Sequence, residues 1–244
     1  MANLTGPERA RYVQDMFARI AHRYDLMNRT MTAGQDVRWR GEVIQRAELP
    51  AYGRLLDLGA GTGDLAREAL RQSPTVTVLA ADFTLEMMRV GQLRPPAQHS
   101  GTAGLDWSAA DAQSLPLPTD TFDAVVSGFL LRNLSNLALG LSEQYRVLKP
   151  GGRIVALDTT PPPHNLLEPF IHFHLHNVIP TLGKLISGQA DAYHYLPEST
   201  ESFLEPERMA RRLLEAGFEQ VGFHRLMFDT VAIYWGRKPG KARG

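Results

Sequence analysis

Apolar side chains recur at Val13, Phe17, Ile20, Tyr24 and Met27, a three-to-four-residue spacing that predicts a helix over Arg11–Met27. Gly34 breaks that pattern, and Trp39–Ala47 reads as a second helix ending before Pro50. The texture then changes. Arg54–Leu58, Val76–Ala81, Leu105–Ala109, Phe122–Gly128 and Arg153–Leu157 are short apolar runs without alternation, and Asp64–Gln72, Glu86–Leu93 and Leu137–Leu148 between them have helical spacing. Unalternating runs separated by helices predict parallel strands buried on both faces. Pro206–Ala216 reads as a helix stopped by Gly217, followed by closing strands at Val221–Leu226 and Thr230–Tyr234 around a tight turn.

Two stretches depart from this rhythm. Residues 95–104, with Pro95, Pro96 and several glycines, predict a surface loop. Thr159–Glu205 carries Pro161–Pro163, a histidine cluster and Ala192-Tyr-His-Tyr-Leu, and reads as an inserted, partly helical cap. The tail Gly236–Gly244 is expected to fray.

Composition narrows the functions on offer. The chain has 244 residues, 43% of them hydrophobic, with 26 Lys+Arg balancing 26 Asp+Glu. That balance argues against nucleic acid as a partner, because binding its phosphates rewards clustered cations. There is no cysteine, which excludes disulfides, zinc-thiolate sites and a cysteine nucleophile. No apolar run approaches the length of a membrane span. The reading is of a soluble, cytoplasmic protein, with peripheral membrane contact and a homodimer left open.

The sharpest local signal is Leu55-Leu-Asp-Leu-Gly-Ala-Gly-Thr-Gly-Asp64, set between a strand and a helix. Glycines at Gly59 and Gly61 let the backbone pass close to a ligand at the carboxyl edge of the sheet. A dinucleotide fingerprint would need a third glycine where Asp64 stands. Asp57 and Asp64 beside the loop suit a cation better than a pyrophosphate, and S-adenosylmethionine carries a sulfonium and an ammonium. Asp82 ends the second strand, where a carboxylate accepts ribose hydroxyls in nucleoside sites. Asp111 and Ala112 follow the third strand, placed to meet an adenine amino group.

Together these segments resemble class I S-adenosylmethionine-dependent methyltransferases: Leu56–Gly63, Asp111-Ala-Gln-Ser-Leu-Pro-Leu-Pro, Thr121-Phe-Asp-Ala-Val and Arg146-Val-Leu-Lys-Pro-Gly-Gly-Arg. More narrowly, Met16–Asn28, Leu131-Arg-Asn133, Tyr195-Leu-Pro-Glu-Ser199 and Val231–Lys238 resemble the ubiquinone/menaquinone biosynthesis C-methyltransferases. The resemblance implies a single Rossmann-like α/β domain over residues 1–244. Its seven-stranded, mostly parallel sheet would have an antiparallel last strand, with an N-terminal helical lid over about 10–47 and a substrate cap over about 160–205. It implies S-adenosylmethionine as cofactor, with Thr62, Asp82, Asp111 and Ala112 at the positions that hold it. The Thr62 hydroxyl is within expected reach of the methionine moiety. Two departures, Leu130 where the family has glycine and Asp158 where it has glutamate, bear on the choice of acceptor.

The implied reaction converts a demethylmenaquinol to menaquinol, with the methoxybenzoquinol of ubiquinone synthesis or another phenolic or lipid acceptor as alternatives. Rival readings are a nicotinamide oxidoreductase, disfavoured by Asp64, and a non-catalytic cofactor-binding subunit, disfavoured by an intact Arg132-Asn133. Carbon methylation needs an ionised hydroquinol, so positioning and oxyanion stabilisation should dominate. Arg132 and Asn133 are expected to hold that oxygen, and Tyr24 and Asp25 of the lid to close over the site or assist proton removal. A water held by Arg132 and a cap histidine are further candidates for the base. His172, His174 and His176 would place 172 and 176 on one helical face with 174 pointing away. No nearby carboxylate or cysteine completes a set with them, and no metal is assigned. The apolar stretch Leu166–Leu185 around them suits a prenyl tail.

Overall fold

The computed structural model describes residues 6–95, 104–163, 165–187 and 190–240. Seven strands form one sheet: β1 (Arg54–Leu58), β2 (Thr77–Asp82), β3 (Leu105–Ala109), β4 (Phe122–Gly128), β5 (Leu148–Thr159), β6 (Glu219–Leu226) and β7 (Val231–Arg237). Their order is β3-β2-β1-β4-β5-β7-β6. All neighbours are parallel except where β7 runs against β5 and β6. The chain leaves β1 toward β2 on one side and returns to β4 on the other. Such a reversal opens a crevice beyond the strands' carboxyl ends, where ligands bind in this architecture.

The helices are α1 (Gly6–Ile20), α2 (Tyr24–Met31), α3 (Asp36–Ala47), α4 (Asp64–Gln72), α5 (Leu85–Gln92), α6 (Leu137–Val147), α7 (Glu168–Phe173), α8 (Ile179–Ser187), α9 (Ala190–Glu201) and α10 (Pro206–Glu215). Leu55, Val78, Ala124 and Val126 point to the face covered by Trp39, Val43 and Ile44 of α3 and Leu70 of α4. Leu56, Val125 and Ala156 point to the opposite face, under Leu141 of α6 and Met209 of α10. Burial on both faces explains why the strand runs do not alternate.

Three expectations shift in detail. The single N-terminal helix is two, joined by a tight 3-10 turn at Ala21–Arg23 that re-phases the chain so that Met27 joins the cluster of Val13, Met16 and Ile20. β5 starts at Leu148 because Lys149-Pro-Gly-Gly stays in the sheet through an irregular register opposite Phe122 and Ala124, with Gly151 at φ 83°. The tail does not fray from Gly236, which lies within β7. Lys238 Nζ is held by Asp120 Oδ1 at 2.7 Å, Leu148 O at 2.7 Å and Tyr145 O at 2.9 Å. Residues 241–244, and 96–103 of the expected loop, lie outside the described residues.

A third apolar cluster lies away from the sheet. Val13, Met16, Ile20 and Met27 of α1 and α2 pack with Leu175, Ile179 and Tyr195 of the cap. Lid and cap therefore share one core. The cap is helical almost throughout, α7 passing through a π-helical turn at His174–Val178 into α8.

Candidate active site

The glycine loop between β1 and α4 is held in shape by the acids beside it. Asp82 Oδ2 accepts the Gly61 N–H at 2.7 Å and its Oδ1 accepts the Thr84 N–H at 2.7 Å. Gly59 sits at φ 68°, and a Cβ there would lie 2.9 Å from Leu130 Cδ1, so glycine is required on steric and torsional grounds. Asp57 is buried, accepts the Ala66 N–H at 2.9 Å through Oδ2, and leaves Oδ1 without a partner. Burial pushes its carboxyl up to about 7; the Ala66 N–H opposes this, while the charges of Asp82 and Asp64 add to it. Burial likewise raises Asp82. Asp64 pairs with Arg40 and with Arg94, the latter at 2.6 Å.

A crevice of about 110 Å³ opens from this loop onto Asp82, Phe83, Asp111 and Ala112. Val13, Phe17 and Tyr24 cover it from the lid. Thr62 is buried, and its hydroxyl donates to Asp25 Oδ1 at 2.7 Å. Asp25 Oδ2 meets Arg94 at 2.9 Å, so Thr62 and Arg94 engage one oxygen each of the lid acid. Tyr24 lies on the crevice side against Phe17, its phenol raised above the ordinary value by burial.

Arg132 and Asn133 occupy a short 3-10 turn just beyond β4, and the structure points them in different directions. Arg132 is buried, with Nη1 paired to Asp158 Oδ1 at the end of β5, and its Nε has no partner. Asn133 Nδ2 donates to Phe129 O at 2.8 Å and its Oδ1 accepts the Tyr195 hydroxyl at 3.0 Å. Asn133 lines the crevice with Leu130, whereas Arg132 lines a separate cavity. The two residues expected to grip one acceptor oxygen thus stand on different linings. Leu130 packs beside Gly59 and lines the crevice, not the second cavity.

That second cavity, of about 370 Å³, is walled by Met31, Trp39, Ile171, Leu175, Ile179 and Leu196, with Phe170 and Phe228 exposed at its rim. Phe129 borders both chambers. It stands at φ 59° with its N–H bonded to Leu157 O at 2.7 Å.

The sequence matches the model of the ubiE/COQ5 methyltransferase family across residues 5–238. The chain belongs to that family. It is 45% identical over 226 residues to a ubiquinone/menaquinone biosynthesis C-methyltransferase of Desulfotalea psychrophila, covering 93% of this chain and 90% of that protein. It is 41% identical over 224 residues to a demethylmenaquinone methyltransferase of Thermus thermophilus, covering 92% and 100%. Among solved structures, a methyltransferase of Thermotoga maritima superposes with TM-score 0.64 at 16% identity over 92% of this chain and 99% of that one. A Haemonchus contortus phosphoethanolamine N-methyltransferase, solved with S-adenosyl-L-methionine, gives 0.61 at 15% identity over 83% and 52%. These last two likenesses speak to the fold.

Two features of this methyltransferase escaped the sequence reading. Asp158 emerges as the partner of Arg132 because β4 and β5 are neighbours, a fact the 26-residue separation hides. The cap histidines do split as helical spacing predicts, but a carboxylate is present after all. Glu201 of α9 meets His176 Nε2 at 2.7 Å and His172 Nδ1 at 3.3 Å, clamping α9 to the outer face of the cap. His174 faces the other way, into the apolar cavity.

Proposed function

We propose that this enzyme transfers the methyl of S-adenosylmethionine to a ring carbon of a prenylated quinol, with demethylmenaquinol as the acceptor. The observation that carries this reading is the apolar cavity next to the glycine-loop crevice, with Arg132 as the cation in its wall. The residues around the glycine loop suit the cofactor. Asp57, buried with an unpartnered oxygen, favours a cationic ligand, and a carboxylate such as Asp82 keeps lone pairs for ribose hydroxyls beyond the two backbone bonds. Gly59 and Gly61 would give close backbone approach, and Asp111 and Ala112 would border the adenine. The bound cofactor supplies a methyl on a positively charged sulfur.

The chain's own residues supply the rest. Leu175, Ile179 and Ile171 offer a prenyl tail an apolar wall, and the exposed rim leaves room for its far end. The Arg132 guanidinium, fixed by Asp158, would stabilise a developing oxyanion through its free Nε–H. Relatives named as a ubiquinone/menaquinone biosynthesis C-methyltransferase and a demethylmenaquinone methyltransferase support the acceptor class.

The test is mass spectrometry of purified protein incubated with the cofactor and a reduced, short-tailed demethylmenaquinol. A quinol heavier by one methylene is expected. Cofactor binding without that product would sink the acceptor assignment. Methylation of the methoxybenzoquinol in the same assay would widen the class.

A further inference from the structure

We propose that His174 is the catalytic base, its Nε2 taking the proton of the acceptor hydroxyl; this rests on the quinol reading above. Ionising that hydroxyl is the step the chemistry requires, and the cavity wall restricts which group performs it. Among the described residues that line the cavity, Arg132 and His174 alone carry titratable side chains. Arg132 has no lone pair to accept a proton and is paired with Asp158. The remaining polar side chains on the wall are hydroxyls and the Asn28 amide, which are not bases at neutral pH. The other candidates lie elsewhere: Tyr24 lines the crevice, and Asp25 is engaged by Thr62 and Arg94.

His174 has the right atom free. Its Nε2 is buried and makes no hydrogen bond, an uncommon state for a ring nitrogen that a ligand oxygen would relieve. The helix fixes its direction. His172 and His176 lie four residues apart and stack at 5.7 Å on the outer face, where Glu201 receives both. Two residues along a helix turn by roughly 200°, so His174 between them is aimed inward. The π-helical turn, in which the Ile179 N–H reaches back to His174 O, begins at this residue, and such turns are frequent at functional sites.

The step balances as follows. The O–H bond breaks, its proton moves to Nε2, and its electron pair delocalises onto the adjacent ring carbon. That carbon attacks the methyl, and the C–S bond breaks with its pair left on sulfur. The ring carbon then gives its own hydrogen to water as a proton. The oxygen recovers the proton held on His174, and one proton is released per turnover.

The experiment compares the full-length wild type with His174→Ala and His174→Asn on the reduced short-tailed quinol, at saturating cofactor, with cofactor affinity measured on each protein. General-base removal is expected to lower kcat by about a hundredfold or more, with KM and cofactor affinity little changed. Added imidazole should restore His174→Ala, and should do nothing for Arg132→Ala. Wild-type rates in either substituted protein would overturn the proposal, and so would a deficit in the folded, cofactor-binding alanine variant that imidazole leaves unrepaired. If alanine perturbs folding, the asparagine variant carries the test by the same kcat criterion. A wild type that binds cofactor and methylates no quinol would instead overturn the acceptor reading.

Discussion

The Thr62 hydroxyl donates to Asp25 Oδ1 at 2.7 Å, which latches the second lid helix to the glycine loop across 37 positions of sequence. Burial raises the Asp25 carboxyl, as does the Asp64 charge, so this latch works against an unfavourable environment for its acceptor. Asp25→Ala should weaken cofactor binding about tenfold, the loss of roughly 1.4 kcal/mol. Asp25→Asn keeps an oxygen for the Thr62 hydroxyl and should retain most of the affinity. Calorimetric titration with the cofactor distinguishes the two; equal losses would refute the latch.

The Arg132–Asp158 pair is nearly inaccessible, with side-chain exposures of 6% and 0%. Removing one member strands a buried charge, so Asp158→Ala should cost about 3–5 kcal/mol of stability. Arg132→Ala should depress kcat by about two orders of magnitude through loss of oxyanion stabilisation, with cofactor affinity intact. Urea unfolding reads the first and steady-state kinetics the second.

Asp57 titrates at about 7 in the folded chain against an ordinary 3.8. The unfolded chain therefore ionises first as pH rises. The group has no effect below the unfolded value, destabilises progressively between pH 3.8 and about 7, and costs a constant amount above. The Tm of the cofactor-free protein should carry a falling contribution across that window, which Asp57→Asn removes. A cationic cofactor reverses the sense of the shift: its binding should expel a proton near pH 6–7 and tighten as pH rises to about 7. Calorimetry in buffers of different ionisation enthalpy counts that proton.

Leu130→Gly, which installs the residue expected from the family pattern, should alter cofactor affinity and leave the preference between quinols unchanged, because Leu130 packs on Gly59 in the crevice. Competition between a naphthoquinol and a benzoquinol measures this. A change in their ratio would show that the side chain reaches the acceptor.

Lys238→Ala removes the donor that satisfies the Tyr145 and Leu148 carbonyls and pairs with Asp120. A loss of about 1–3 kcal/mol in urea unfolding is expected.

Local chemistry made the glycine-loop edge of the sheet legible. The glycine loop and Asp111 come just after a strand and Asp82 ends one, so strand periodicity alone put them at one sheet edge. The surroundings of the second cavity depended on contacts between distant segments. Asp158 reaches Arg132 from a neighbouring strand, Glu201 reaches His172 and His176 from another helix, and Asn133 is turned away by its bonds to Phe129 and Tyr195. Spacing told which cap histidines share a face. It did not tell which face meets the cavity, because that depends on how α7 packs against the lid.

Phe129 borders both chambers, and the rims of the two are formed by different residues, Phe170 and Phe228 for one and Phe83 and Asp111 for the other. On the proposed assignment each reactant would have its own doorway, and neither would have to leave before the other arrives. Turnover on such a plan should follow a random sequence, with the demethylated cofactor slowing the enzyme without displacing the quinol.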